Sequence, residues 1–389
     1  MKGKDQKEAA QVDHMAGKNF KMDIAWETRA CSPAKPDYIL RNGRRYVRPY
    51  FFEFFAHVKG RWEGKAIVDL YADEFRGRPY DYYVKALECG RIQVDGAPVP
   101  MSYTLKSSQK ISHFVHRHEP PVASCDISIL SDEPEVLTVC KPATIPVYFS
   151  HLSFLLPFLH QLGTIQVHPC GQYRKNTVVG ILEAEHKLAP LFPIHRLDRL
   201  VSGLLIFAKS STKADFFRQE IESGAVQKQY VARVAGVFPE DEVVVKANIC
   251  HNAREGKSTA EDGESSKGKP SCTKFKRIST DGEHSVVLCK PITGRTHQIR
   301  VHLQHVGHPI ANDDLYLSEG SNAKLPFEIN CSNEVANEDF DVDPLCTNCP
   351  HLGPKGYGEK EEGLWLHCVR YCGTGWEYDC PLPHWAQLF

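Results

Sequence analysis

Apolar and polar positions sort the chain into two periodic blocks joined by a proline-marked segment. In the first, Val68, Leu70 and Phe75 mark one helix, and Tyr82, Tyr83, Ala86 and Leu87 share the face of a second that Gly90 ends. Arg91-Ile92-Gln93-Val94 alternates as a strand, Asp95-Gly96 is a two-residue hairpin signal, and Ile111 to Val115 reads as the returning strand. His116-Arg117-His118-Glu119-Pro120-Pro121 reads as a linker.

The second block starts near Ile127, with Val136 to Val139 as a strand. Gly203 to Ala208 is wholly apolar, which predicts a short buried strand. Thr212, with Asp215 three residues on, is placed as the cap of a helix that carries Phe217 and Ile221 and stops at Gly224. Lys228 to Val234 alternates as a strand, and Ser285 to Cys289 is another. Gly294-Arg295-Thr296 opens a helix with Ile299, Leu303 and Val306 on its apolar face, stopped by Gly307. Residues 251–270 and 317–345 read as loops, and residues 1–50 as an irregular leader that turns basic and aromatic after about residue 40.

The chain has 389 residues, enough for two or three domains. A net charge of -1 argues against a uniformly basic nucleic-acid coat but leaves room for local strips. One such strip has Arg41, Arg44, Arg45, Arg48, Lys59, Arg61 and Lys65 among Tyr46, Tyr50 and Trp62. It suits phosphates and stacked bases, or is a solvated charged face. The first twenty residues lack the apolar core of a secretory signal. The 14 cysteines then read as reduced thiols, which points to the cytoplasm or nucleus. Tyr148 to Val167 is apolar but carries His151, Pro157, His160 and Gln161, a poor membrane span.

Three constellations bear on chemistry. Asp198 lies between Arg196 and Arg199 just ahead of the apolar run. Flanking positive charge keeps such a carboxylate ionised, and an ionised carboxylate can act as a nucleophile. Arg295, in a comparable charged motif, is its expected partner, in a catalytic pair or a structural salt bridge. Tyr230 is either a core tyrosine or one that faces a cleft and stacks on a base. Cys346-Thr347-Asn348-Cys349, with His367-Cys368 and Cys372, has the spacing of a zinc knuckle, although Leu364 to Val369 also reads as a buried strand. A zinc-dependent nucleic-acid module is therefore the weakest of three readings, and no metal site is assigned. No Gly-rich phosphate loop and no zinc-deaminase residue pair is present.

Ile194-His195-Arg196-Leu197-Asp198 with Ser202-Gly203-Leu204-Leu205 resembles the signature of the RluA-type pseudouridine synthases. Leu137 to Pro142, Lys228 to Ala232, Gly294 to His302 and Leu366-His367-Cys368 follow in that family's order. Ala66 to Val115 is similar to the S4-like RNA-binding module often fused ahead of the catalytic domain. Together with His118-Glu119-Pro120-Pro121 it points to the eukaryotic branch, some of whose members modify transfer RNA.

The resemblance implies an α+β protein, with a mixed, largely antiparallel sheet split by a catalytic cleft. The leader would span residues 1–50, the S4-like module 51–121 and the catalytic domain 122–389. Uridine in RNA would be isomerised to its C-glycoside with no cofactor and no metal. Asp198 would be nucleophile or base, Tyr230 would stack on the target base and assist loss of the C5 proton, and Arg295 would orient Asp198. Arg196 would hold the RNA, as would Lys59 and Arg61 on the basic strip. The expected partner is RNA, transfer RNA ahead of ribosomal RNA, bound by a monomer without membrane contact. A non-catalytic RNA-binding protein on the same scaffold is the rival.

One departure stands out. Tyr148 to Val167 separates Pro146-Val147 from His168-Pro169, which the family runs together. That segment reads as a retained intron, a splice variant or a natural surface insertion.

Overall fold

The computed structural model describes residues 34–147, 172–262, 267–317, 340, 342–354 and 362–387. The apolar segment 148–167 and the acidic loop up to residue 339 lie outside them. The described chain forms two compact units, residues 51–115 and residues 34–50 with 116–387.

The first two strands, β1 (Tyr38–Arg41) and β2 (Arg44–Val47), form an antiparallel hairpin in the larger unit. Residues 34–50 are thus not an irregular leader. Alternation was masked there because Arg45 occupies a core position, 1% exposed, where it pairs with Glu185.

The smaller unit contains the predicted helix pair and hairpin. Its strands β3 (Tyr50–His57), β4 (Ile92–Val94), β5 (Ala97–Pro98) and β6 (Lys110–Arg117) lie in the order β3-β6-β4-β5. Helices Ile67–Glu74 and Tyr80–Glu88 bury Leu70, Tyr71, Tyr83 and Leu87 with Ile92 and Ile111. Asp95 and Gly96 both have positive φ, 51° and 81°, as a tight hairpin turn requires. Trp62, offered above as a stacking platform, is fully buried, with Lys59 and Arg61 lying over its ring at 5.9 and 5.5 Å.

The larger unit continues with β7 (Val122–Ala123), β8 (Ser128–Asp132), β9 (Val136–Lys141), β10 (Phe192–Pro193), β11 (Ser202–Ala208) and β12 (Gln227–Ala235). Then come β13 (Val243–Val245), β14 (Asn248–Asn252), β15 (Lys257–Glu261), β16 (Thr273–Thr280), β17 (His284–Pro291), β18 (Leu366–Gly373) and β19 (Trp376–Asp379). The main sheet runs β13-β16-β17-β12-β18-β11-β9-β8, with β10 on β11 and β19 on β18. Every pairing in it is antiparallel except β11 with β18, which touch through only Ser202–His367 and Gly203–Cys368.

The wholly apolar pattern of β11 has a direct cause. Leu204, Ile206 and Ala208 face one core, with Phe217, Val234 and Leu303; Leu205 and Phe207 face another, with Val139, Ile181 and Leu182. Both faces are covered, so no polar position is tolerated.

Three further expectations are corrected. Residues 116–121 belong to the larger unit, where Glu119 is fully buried. Its carboxylate accepts from the backbone N–H groups of Arg174, Lys175 and Asn176 and from the Tyr50 hydroxyl. The stretch read as a loop from residue 251 contains the β14–β15 hairpin. The cap of helix Ser211–Glu222 is Ser210, not Thr212; its hydroxyl accepts from the Lys213 N–H.

Candidate active site

The loop that leads into β11 carries Asp198. Successive carbonyls hold this loop: that of Asp198 accepts from the Val201 N–H at 3.0 Å, that of Arg199 from Lys141 Nζ at 3.0 Å, and that of Leu200 from the Leu364 N–H at 2.9 Å. Lys141 ends β9, fully buried, and donates also to the carbonyls of Pro142 (2.8 Å) and Ile145 (2.7 Å). Burial pushes its pKa down to about 7, against the pull of Asp198. Three carbonyls match the three N–H donors of an ammonium, so Lys141 works as a bracket under the loop.

Asp198 opens on a cleft of about 380 Å³, lined among others by Arg196, Tyr230, Arg295, His297, Arg300 and Tyr371. Its carboxylate is 31% exposed and therefore reachable. The expected Asp198–Arg295 pair does not form. Arg295 sits in the turn before helix Gln298–His305, where its N–H donates to Gln298 Oε1, and its guanidinium bonds the Pro270 carbonyl at 3.3 Å.

The cation at Asp198 is Arg300, Nη1 to Oδ2 3.7 Å, with His297 Nε2 at 3.6 Å. Both lie beyond hydrogen-bond length; that of Arg300 is a close charge contact. Arg300 is aimed by a bidentate pair with the buried Asp313, 2.6 and 2.8 Å, and lies over the Tyr316 ring at 4.8 Å. Its third nitrogen is thereby turned to Asp198.

His297 is held in the left-handed region, φ 59°, at the helix N-terminus. A non-glycine residue pays for that conformation, and such strain gathers at functional sites. The Tyr316 hydroxyl bonds His297 Nδ1 at 2.8 Å and accepts from the Ser258 N–H on β15 at 2.9 Å. The hairpin misread as a loop thus supports the site from below. Burial lowers the pKa of His297, with Asp198 opposing the shift.

Across the cleft, Tyr230 on β12 is 9% exposed, and its hydroxyl meets that of Tyr371 at 3.1 Å. Burial raises its pKa far above the ordinary value, so the group is a neutral phenol. Tyr371 stacks on His195 at 4.1 Å, and Lys228 Nζ lies 5.8 Å from the Tyr371 ring. His195 is also buried, accepts from the Ile206 N–H at 3.3 Å, and has its pKa lowered to about 3. Arg196 is exposed at the cleft.

Asp198, Tyr230, Arg295 and Arg196 therefore share one cleft. Lys59 and Arg61 belong to the smaller unit; Arg61 pairs with Glu74 at 3.3 Å. Sequence reasoning missed the roles of Arg300 and His297, although both stand in the run from Gly294 to His302. Their spacing of three residues at a predicted helix start was the available signal. The cysteine grouping is corrected too: Cys346 and Cys349 gather with His116 and His118, while His367 gathers with Cys140 and Cys380.

An accessible carboxylate beside a guanidinium and an imidazole, opposite a neutral aromatic wall, suits attack on or proton removal from a planar ring and its sugar. Comparison with known proteins narrows this. The profile of the family described as RNA pseudouridylate synthase matches residues 135–305. RNA pseudouridine synthase 7 of Arabidopsis thaliana is 58% identical, over 94% of this chain and 92% of its own. The mitochondrial tRNA pseudouridine(32) synthase of Saccharomyces cerevisiae is 32% identical, over 90% and 79% of the two chains. The yeast tRNA pseudouridine(31) synthase is 32% identical, over 90% and 96%.

Proposed function

Because the chain belongs to the RluA-type RNA pseudouridine synthase family and is an isomerase acting on RNA, we propose that Asp198 is its catalytic carboxylate and that transfer RNA, ahead of ribosomal RNA, is its substrate. The observation that carries the first part is the accessible Asp198 carboxylate in the cleft, 3.6 and 3.7 Å from His297 and Arg300. The names of the two yeast relatives support the second.

Isomerisation breaks the N1–C1′ bond and makes a C5–C1′ bond, while the C5 proton leaves and a proton is taken up at N1. The atoms balance without a co-reactant. On this reading Asp198 opens the glycosidic bond, as nucleophile or as base for a ribose proton. The Tyr230 ring forms a wall for the extruded uracil. Its neutral hydroxyl is unsuited to act as an anionic base. Arg196 and Arg295 grip the backbone of the flipped nucleotide. Lys59 and Arg61, on the smaller unit, add phosphate contacts.

Tritium release from C5-labelled transfer RNA tests this. Asp198→Asn keeps the side-chain shape and removes the charge, so release should fall to background while filter binding of the RNA stays within about threefold. Turnover at the parent rate by that variant would remove Asp198 from the mechanism.

A further inference from the structure

Outside the cleft, two histidines and two cysteines converge. His116 and His118 stand at the end of β6, two residues apart, where alternation puts both side chains on one face. Cys346 and Cys349 come from the segment 342–354, some 230 residues further on. One nitrogen or sulfur atom from each lies within 4.8 Å of all the others. The distances are 3.3 Å from His116 Nδ1 to His118 Nε2, 3.3 Å from Cys349 Sγ to His116 Nδ1, and 3.4 Å from Cys349 Sγ to His118 Nε2.

The three lengths suit ligands of one ion, and Cys346 Sγ lies within 4.8 Å of the same three atoms. With zinc–nitrogen bonds of about 2.05 Å and zinc–sulfur bonds of about 2.3 Å, a tetrahedron has edges of roughly 3.3 to 3.8 Å. A supporting layer is also in place. His118 Nδ1 bonds the Leu352 carbonyl at 3.2 Å, which directs Nε2 into the cluster. The Asp343 N–H donates to Cys349 Sγ at 3.4 Å, the contact that steadies a thiolate.

We propose that His116, His118, Cys346 and Cys349 form a structural zinc site. Two sulfurs and two nitrogens in a tetrahedron select zinc over hard cations. Four protein ligands leave no open position for substrate or water, and none of the four lines the Asp198 cleft. The ion takes no part in isomerisation. It pins the segment 342–354 to residues 116–118, within the larger unit. On binding, the two thiols give up their protons to solvent.

The test is metal analysis of the full-length protein, produced in zinc-supplemented medium and desalted. About one zinc per chain is expected, falling below roughly a tenth in the C346S/C349S double variant. Cobalt(II) exchanged into the parent protein should show the visible bands of a tetrahedral centre with thiolate ligands. Since the cobalt spectrum is read on the parent chain, it decides the matter even where the double variant does not fold. Parent protein without stoichiometric zinc and without that spectrum overturns the site. So does zinc retained by the double variant, or a Cys346–Cys349 disulfide in freshly purified protein.

Discussion

Gly203 is the residue at which the main sheet is joined, and replacing it by alanine should be the most damaging single-methyl change in the larger unit. Its φ is +112°, and a Cβ there would lie 2.3 Å from the Cys368 carbonyl oxygen and 2.5 Å from the Cys368 nitrogen. Ordinary contact begins near 3.4 Å. Both atoms are backbone, so β11 and β18 must part by about 1 Å at one of their two paired positions. The strained φ alone costs about 1–3 kcal/mol, and forced displacement of a packed core adds a comparable amount. A loss of about 3–5 kcal/mol is a large share of a domain's stability and lowers Tm by roughly 5–8 °C in a unit of this size. Asp198 and its bracket lie just upstream, so activity should fall as well. Thermal unfolding of G203A and G224A, side by side, is the assay. Gly224 also has positive φ, +77°, but open space around the missing Cβ. It isolates the backbone term, with an expected loss of about 1 kcal/mol. Equal Tm values for the two variants would refute the close-approach argument.

Three other outcomes are expected. Arg300→Met with Asp313→Asn, paired so that no buried carboxylate is stranded, should slow single-turnover isomerisation; a charge at 3.7 Å is worth about 1–4 kcal/mol at effective dielectrics between water and 20, or roughly five- to a thousandfold. Arg295→Met should raise KM far more than it lowers kcat, and the opposite pattern in the two variants would restore Arg295 as the partner of Asp198. Stability should fall as pH drops. His195 has its pKa lowered from 6.5 to about 3, so the unfolded chain takes up the proton first; its contribution is intact above pH 6.5 and is lost on descent toward pH 3. Between pH 7.5 and 5 this amounts to about 2 kcal/mol, and His195→Asn should flatten the urea-unfolding profile over that range by a similar amount.

Legibility followed physical cause. Where burial alone set the pattern, as in β11, the element was plain from its letters. The two helices and the hairpin of the smaller unit were equally plain, because Gly90 and Asp95-Gly96 punctuate them. Where a charged residue is buried and satisfied by a distant partner, letters misled. Arg45 and Glu119 read as surface and linker, yet both are core. Within the site, Asp198, Tyr230, Arg196 and Arg295 were found from their motifs and do share a cleft. The choice between Arg295 and Arg300 was not legible, since it depends on Asp313, which aims Arg300 at Asp198, and on the Pro270 carbonyl, which holds Arg295. The same holds for the cysteine pair, whose histidines come from the segment read as a linker.

The Glu119 carboxylate and the Lys141 ammonium have a consequence for the gene. One fastens residues 174–176 and the other the carbonyls of 142 and 145, while the Val178 N–H closes on the Pro146 carbonyl at 3.0 Å. The residues on either side of the segment 148–171 are therefore held by groups that lie outside it. A change in the number of codons between those borders would leave every one of these bonds with its donor and acceptor.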